Sequence, residues 1–297
     1  MAAYQNSSIT LHEDVVFFRE AVFYTAGRTE LNAALVEKDY YCSILLAYLY
    51  QNKETLLMFK GGTSLGKIHA NFYRLSEDLD FVISISSNAL RSERRKAIAP
   101  VKKWITRIPD EISVFGLPEG IRGYNNSKQY IATVTYNSEV AINDEPAKIK
   151  IEIGLREKVL VPPIHGEVST LLINPFTKNP AVPKFTVMAL ALEEAYAEKI
   201  RAALTRREPA IRDFYDVDFA VDRLNLDLKD HRLIKLVKDK LKVSDNKPVD
   251  ISPSRREKLR VQLNTQLKPV LRPLDFEKFN LDRAFELVAK MGAMIQT

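Results

Sequence analysis

Apolar positions recur at helical spacing through Val15-Val16-Phe17 and Ala21-Val22, and Thr10 with Glu13 has the spacing of a capping box in front of them. A second helix is predicted from Ala33 to about Tyr50, with Leu35, Tyr41, Ile44, Leu45 and Leu49 among its core positions. The pattern then changes. Leu56 to Phe59 is a short strand-like run, Gly61-Gly62 a turn, Thr63 to about Phe72 a helix-compatible segment, and Asp78 to Ile85 a second strand. Asn88 to about Ile108 predicts a strongly basic helix, which Pro100 kinks or divides. Strict alternation predicts half-buried strands at Gln129–Tyr136 and Ala147–Ile153. In the second, Lys148, Lys150 and Glu152 share one face and Ile149, Ile151 and Ile153 the other.

Pro162, Pro163, Pro175, Pro180 and Pro183 preclude long regular elements over residues 156–184. Beyond them the pattern is helical: Thr186 to about Arg207, Ala210 to about Leu224, Asp230–Lys242, Pro253–Leu267 and Leu281 to Met291. Ser252-Pro253 suits an N-cap followed by proline at the first helical position. The expected architecture is α+β: an N-terminal domain, residues 1–184, with a small mixed sheet flanked by helices, and an all-helical C-terminal domain, residues 185–297.

Composition narrows the classes. The chain has 297 residues, 46% of them hydrophobic, enough for one large or two moderate domains. A net charge of +6 favours an anionic partner. A single cysteine, Cys42, excludes an internal disulfide framework and a cysteine-based zinc site, and its apolar surroundings predict a buried thiol. The N-terminus lacks a basic start followed by an apolar core, and the most apolar stretch, Tyr40 to Tyr50, is about half of a bilayer crossing. A soluble, cytoplasmic protein without a membrane partner is expected.

The chemistry concentrates between Phe59 and Phe81. Asp78 and Asp80, two apart on a strand, project to one face, and paired carboxylates are tolerated mainly where a cation compensates them. Mg²⁺ is held in this way, by one or two carboxylates together with substrate phosphates. The Gly61-Gly62 turn and the hydroxyls of Thr63 and Ser64 suit close approach of phosphate to backbone. Glu152 is the natural third carboxylate, or else a strand residue paired with Lys148 or Lys150. A second cluster lies on two predicted helices: Lys199, Arg201, Arg206 and Arg207, then Arg212, Asp213, Asp216 and Asp218. There Lys199 could neutralise a triphosphate with Asp213 fixing its ammonium, or the two could form a salt bridge between packed helices.

Gly61 to Lys67 also fits the G-x-x-x-x-G-K pattern of a P-loop NTPase, but Ile68 stands where that motif needs a hydroxyl. A further alternative is a nucleic-acid-binding module with an inactive enzyme fold, tracking phosphates with the basic stretches Arg91–Arg107 and Arg255–Arg260.

Taken together, Gly61-Gly62-Thr63-Ser64, Arg74-Leu75-Ser76-Glu77-Asp78-Leu79-Asp80, Lys148 to Ile153, and Lys199 followed by Arg212-Asp213 and Asp216 resemble, in order, the motifs of the AbiEii/AbiGii nucleotidyltransferase toxins. That family lies within the DNA polymerase β-like superfamily, and the resemblance runs from about residue 35 to 225. It implies a bi-lobed enzyme that transfers a nucleotide from an NTP to an acceptor, in relatives the 3′ end of tRNA among others. It implies Mg²⁺, or Mn²⁺, on Asp78, Asp80 and Glu152. Gly61, Gly62, Thr63, Ser64 and Arg212 would form the nucleotide site, completed by Lys199 and Asp213 from the helical domain. It also implies a cognate antitoxin, a winged-helix repressor in relatives.

Overall fold

The computed structural model describes residues 10–51, 55–141, 145–243 and 246–296. The chain divides into two units: Met1–Lys158 with Pro163–Ala189, and Val159–Pro162 with Leu190–Thr297. In the first unit the alternating segments become the centre of a mixed seven-stranded sheet. Its strands are β1 (Met58–Lys60), β2 (Leu79–Val82), β3 (Arg122–Tyr124), β4 (Gln129–Tyr136), β5 (Ala147–Gly154), β6 (Ile164–Val168) and β7 (Phe185–Ala189). They lie in the order β3-β4-β5-β2-β1-β7-β6. β2 runs parallel to β5, and β1 parallel to β7; the other neighbours are antiparallel.

Register follows from the alternation. Ile149, Ile151 and Ile153 of β5 are fully buried, as are Phe59 and Phe81, which are direct partners across β1 and β2. A one-residue slip of β5 would turn three isoleucines outward, at about 1.5–3 kcal/mol each, and drive Glu152 into the core. The same hydrophobic set that builds the core therefore fixes where Glu152 stands, opposite Asp80.

The helices of this unit are α1 (Val15–Thr29), α2 (Ala33–Tyr50), α3 (Gly61–Ser64), α4 (Arg91–Thr106) and α5 (Ile108–Glu111), with a π-helical turn, Leu65–His69, continuing α3. α2 has the predicted bounds and is capped by the Asn32 side chain, which accepts from the amides of Ala34 and Leu35. Its Tyr41 lies 4.1 Å, centroid to centroid, from Tyr136 of β4, and Tyr40 4.8 Å from Phe18 of α1. Trp104 and Lys102 lie on α4, and the Lys102 ammonium sits over the ring of Tyr130 on β4.

Several expectations are corrected. Thr10 makes no side-chain cap; a 3₁₀ turn, Leu11–Glu13, follows it, and α1 is capped by Asp14, whose carboxylate accepts from the Phe17 amide at 3.1 Å. Pro100 does not divide α4. The segment expected to begin a long helix at Thr186 is strand β7 instead, buried at Val187 and Ala189 and paired with both β1 and β6. Strand β6 was hidden among the prolines that flank it.

The second unit holds α6 (Leu192–Thr205), α7 (Ile211–Arg223), α8 (His231–Leu241), α9 (Pro253–Arg260), α10 (Pro273–Lys278) and α11 (Leu281–Gln296). Phe214 of α7 stacks on Phe285 of α11 with centroids 5.8 Å apart, among buried Tyr196, Ile200, Val237 and Met291. Lys240 is buried here and compensated by Glu194 at 2.6 Å and Glu198 at 3.1 Å. Glu194 also accepts from the amides of Leu160 and Val161, at 2.9 and 2.7 Å, fastening the short 159–162 segment to the helices.

Candidate active site

Gly61 opens the site by its conformation. Its φ is +78°, and a Cβ there would stand 2.3 Å from Asp80 Oδ2, so both the backbone and the neighbouring carboxylate require glycine. Gly62 is required by close approach alone: a Cβ would lie 2.5 Å from the buried Arg74 guanidinium, which itself donates to the Leu75 carbonyl. Thr63 donates its hydroxyl to the Asp78 carbonyl, pinning the turn to the acid-bearing segment. Ser64 is buried, and its Oγ has no hydrogen-bond partner. A hydroxyl left in that state costs about 1–3 kcal/mol, which a phosphate oxygen or water at the turn would offset.

Across the sheet, Asp80 of β2 is the Cα partner of both Lys60 on β1 and Glu152 on β5. Asp78 immediately precedes β2. The structure brings all three predicted carboxylates to one partly open face, together with a residue the sequence reading placed only as an alternative partner of Glu152. Lys150 Nζ lies 3.5 Å from Asp78 Oδ2 and 3.2 Å from Glu152 Oε2. The other oxygen of Glu152 accepts from Gln129 Nε2 at 2.7 Å. Desolvation, and after it the charge of Glu152, push the Asp80 carboxyl up to about 6, against the pull of Lys60 and Lys150. Gln129 and Lys60 were missed, and Arg74 was named only as part of a motif, without a role. Strand alternation places Gln129 on the same side as Ile131 and Thr133, but nothing in the sequence fixes the β1–β2 register that sets Lys60 beside Asp80.

The donor set fits a divalent cation in kind: carboxylates from neighbouring strands, partly open to solvent. Among the described residues, however, no three His, Cys, Asp or Glu side chains form a ready-made metal cluster. Asp78 and Glu152 contact Lys150 instead.

Lys67, the lysine of the P-loop pattern, is buried and ion-paired with Asp39 at 2.6 Å. Its ammonium also donates to Ser43 Oγ at 2.8 Å, and Asp39 Oδ2 accepts from Thr170 Oγ1 and the Leu171 amide. A lysine held in this way braces α2 against the glycine turn and is not disposed to meet a phosphate. Cys42 is buried, and burial pushes its thiol up to about 12, which leaves it inert as a nucleophile.

In the helical unit, Lys199 of α6 lies 3.1 Å from Asp213 and 2.8 Å from Asp216, both buried on α7, and Arg206 lies 3.3 Å from the second oxygen of Asp213. The predicted Lys199–Asp213 pairing is present, as an interhelical ion pair. Arg212 precedes Asp213 on α7, and its guanidinium donates to the Gln266 carbonyl at 3.2 Å. Much of the supposed phosphate-tracking charge is also spoken for. Arg255 is buried and donates to the carbonyls of Ala203 and Arg206 at the end of α6, while Arg256 and Arg260 pair with Asp282. On α4, Arg94 donates to the Leu155 carbonyl, leaving Arg91, Arg95, Lys96 and Lys103 exposed.

Carboxylates on neighbouring strands beside a glycine–hydroxyl turn suit the chemistry of a phosphate and a divalent cation. The family model described as "Nucleotidyl transferase AbiEii toxin, Type IV TA system" matches residues 44–288, and the chain belongs to that family. Membership implies an NTP substrate and an antitoxin counterpart. The fold is similar to that of JHP933 from Helicobacter pylori, with a TM-score of 0.50 and 18% identity over 89% of this chain and 93% of that one. A structure of a candidate nucleotidyltransferase from H. pylori aligns at a TM-score of 0.47 and 18% identity, over 85% and 92% of the two chains. No curated protein matches significantly in sequence. Among the described residues, no helix is long and apolar enough to cross a membrane.

Proposed function

We propose that this chain is a divalent-metal-dependent nucleotidyltransferase toxin that moves an NMP from an NTP to the 3′ end of tRNA, acting in the cytoplasm opposite a cognate winged-helix antitoxin. One observation carries the reading: Asp78, Asp80 and Glu152 gather on one sheet face beside a glycine turn whose Ser64 hydroxyl is buried without a partner.

Asp78, Asp80 and Glu152 would hold Mg²⁺ or Mn²⁺. When bound, such an ion supplies positive charge to the α-phosphate and lowers the pKa of an acceptor hydroxyl. The chain's own residues then position. Gly61 and Gly62 let backbone approach the phosphates, and Ser64 donates its hydroxyl to them. Asp80, ionised above about pH 6, keeps the site anionic at neutral pH. The acceptor hydroxyl releases its proton to water, its oxygen bonds to the α-phosphorus as the bond to the bridging oxygen breaks, and pyrophosphate leaves with that electron pair. The rate gain comes from orientation and charge neutralisation. Lys199 and Asp213 are assigned to NTP use on the strength of the family motif, as a claim to be tested apart from the acidic face.

The test is incubation of the full chain with tRNA, Mg²⁺ and each labelled NTP in turn, beside Asp80→Ala. Label should pass to the tRNA 3′ end with at least one NTP and not in the variant. Absence of transfer with every NTP, across several RNA and protein acceptors, overturns the reading. Transfer to protein alone would replace the acceptor.

A further inference from the structure

Strand alternation places Lys150 two residues before Glu152 on the same face, and the β2–β5 register brings Asp78 and Asp80 alongside. The ammonium bridges Asp78 and Glu152, at 3.5 and 3.2 Å. Each acid has a second tether. Gln129 holds the far oxygen of Glu152, and Thr63 holds the backbone carbonyl of Asp78. Lys150 itself is the movable member: its side chain is 40% exposed, on a flexible four-carbon stem. Glu152 and the backbone of Asp78 are thus held independently of the ammonium, and the acids carry more negative charge than one lysine neutralises.

We propose that Lys150 is the built-in counter-cation of the acidic site, displaced when a divalent metal ion enters and thereby freed to meet the anionic triphosphate. The inference rests on the metal-dependent reading above. Metal binding is then an exchange of one cation for another. The lysine keeps the carboxylates compensated before metal arrives, and it sets a threshold against weakly held ions.

The test uses full-length wild type, Lys150→Met, Lys150→Arg and Asp80→Asn without nucleotide. Free Mn²⁺ is followed by electron paramagnetic resonance, and melting is recorded in chelator. Removing a positive charge that lies 3.5 and 3.2 Å from two of the carboxylates should tighten Mn²⁺ binding on the order of tenfold in Lys150→Met. The same variant should melt at a lower temperature without metal, and Lys150→Arg should stay near wild type in both. Unchanged or weaker Mn²⁺ affinity in Lys150→Met, while wild type binds and Asp80→Asn does not, overturns the exchange and leaves the metal reading standing. Wild type binding no better than Asp80→Asn overturns both.

Discussion

Replacing Asp80 by asparagine should make the metal-free protein more stable while abolishing its activity. The Asp80 carboxyl ordinarily titrates near 3.8 and in the fold near 6, because burial and Glu152 disfavour its charge. The native state therefore holds this proton more tightly than the unfolded chain does. The resulting stability is fully present below about pH 3.8 and is lost as pH rises through about 6. The full shift corresponds to roughly 3 kcal/mol, and residual solvent contact reduces it to about 2 kcal/mol. Asparagine has nearly the same shape and no titration, so the variant escapes the loss. Urea unfolding in chelator from pH 4 to pH 8 measures it, and the sole tryptophan, Trp104, reports from α4 in the unit that carries Asp80. The difference between variant and wild type should be near zero at pH 4 and reach about 2 kcal/mol in favour of the variant by pH 7.5. A difference that stays constant across this range would refute the reasoning.

Gly61→Ala forces a Cβ into Asp80 at a positive φ; transfer should fall on the order of a hundredfold in kcat, with about 1–3 kcal/mol lost in stability. An unchanged kcat would detach the turn from the chemistry. Lys67→Met strands the buried Asp39 carboxylate and should cost about 3–5 kcal/mol, with Asp39→Asn added to it restoring part; a change in NTP affinity without a change in melting would return Lys67 to the substrate. Lys199→Ala should chiefly raise the KM for NTP, and kinetics like wild type in the folded variant would remove the Lys199–Asp213 pair from the reaction.

Elements whose local pattern agrees with their surroundings were legible. α2 carries its own cap in Asn32, and β4 and β5 alternate strictly because one face of each is buried. β7 was not legible: Thr186 to Leu192 is rich in helix-forming residues, and only partners distant in sequence, β1 and β6, make it a strand. Within the site, Asp78, Asp80 and Glu152 were readable as donors because carboxylates on alternating strands are conspicuous. The bridging position of Lys150 depends on register between strands some seventy residues apart. The burial of Lys67 and Arg255 depends on packing, so both could pass for phosphate-binding charge.

The chain enters the helical unit at Val159, leaves it after Pro162 and returns at Leu190, so the units are joined by three covalent passages. A gene segment beginning at Leu190 would encode helices whose Glu194 had lost the Leu160 and Val161 amides while Lys240 still lay buried against it. A single cut at Leu190 therefore separates these helices from the segment that satisfies Glu194. Excising the helical unit without loss takes three cuts in the gene, before Val159, after Pro162 and before Leu190.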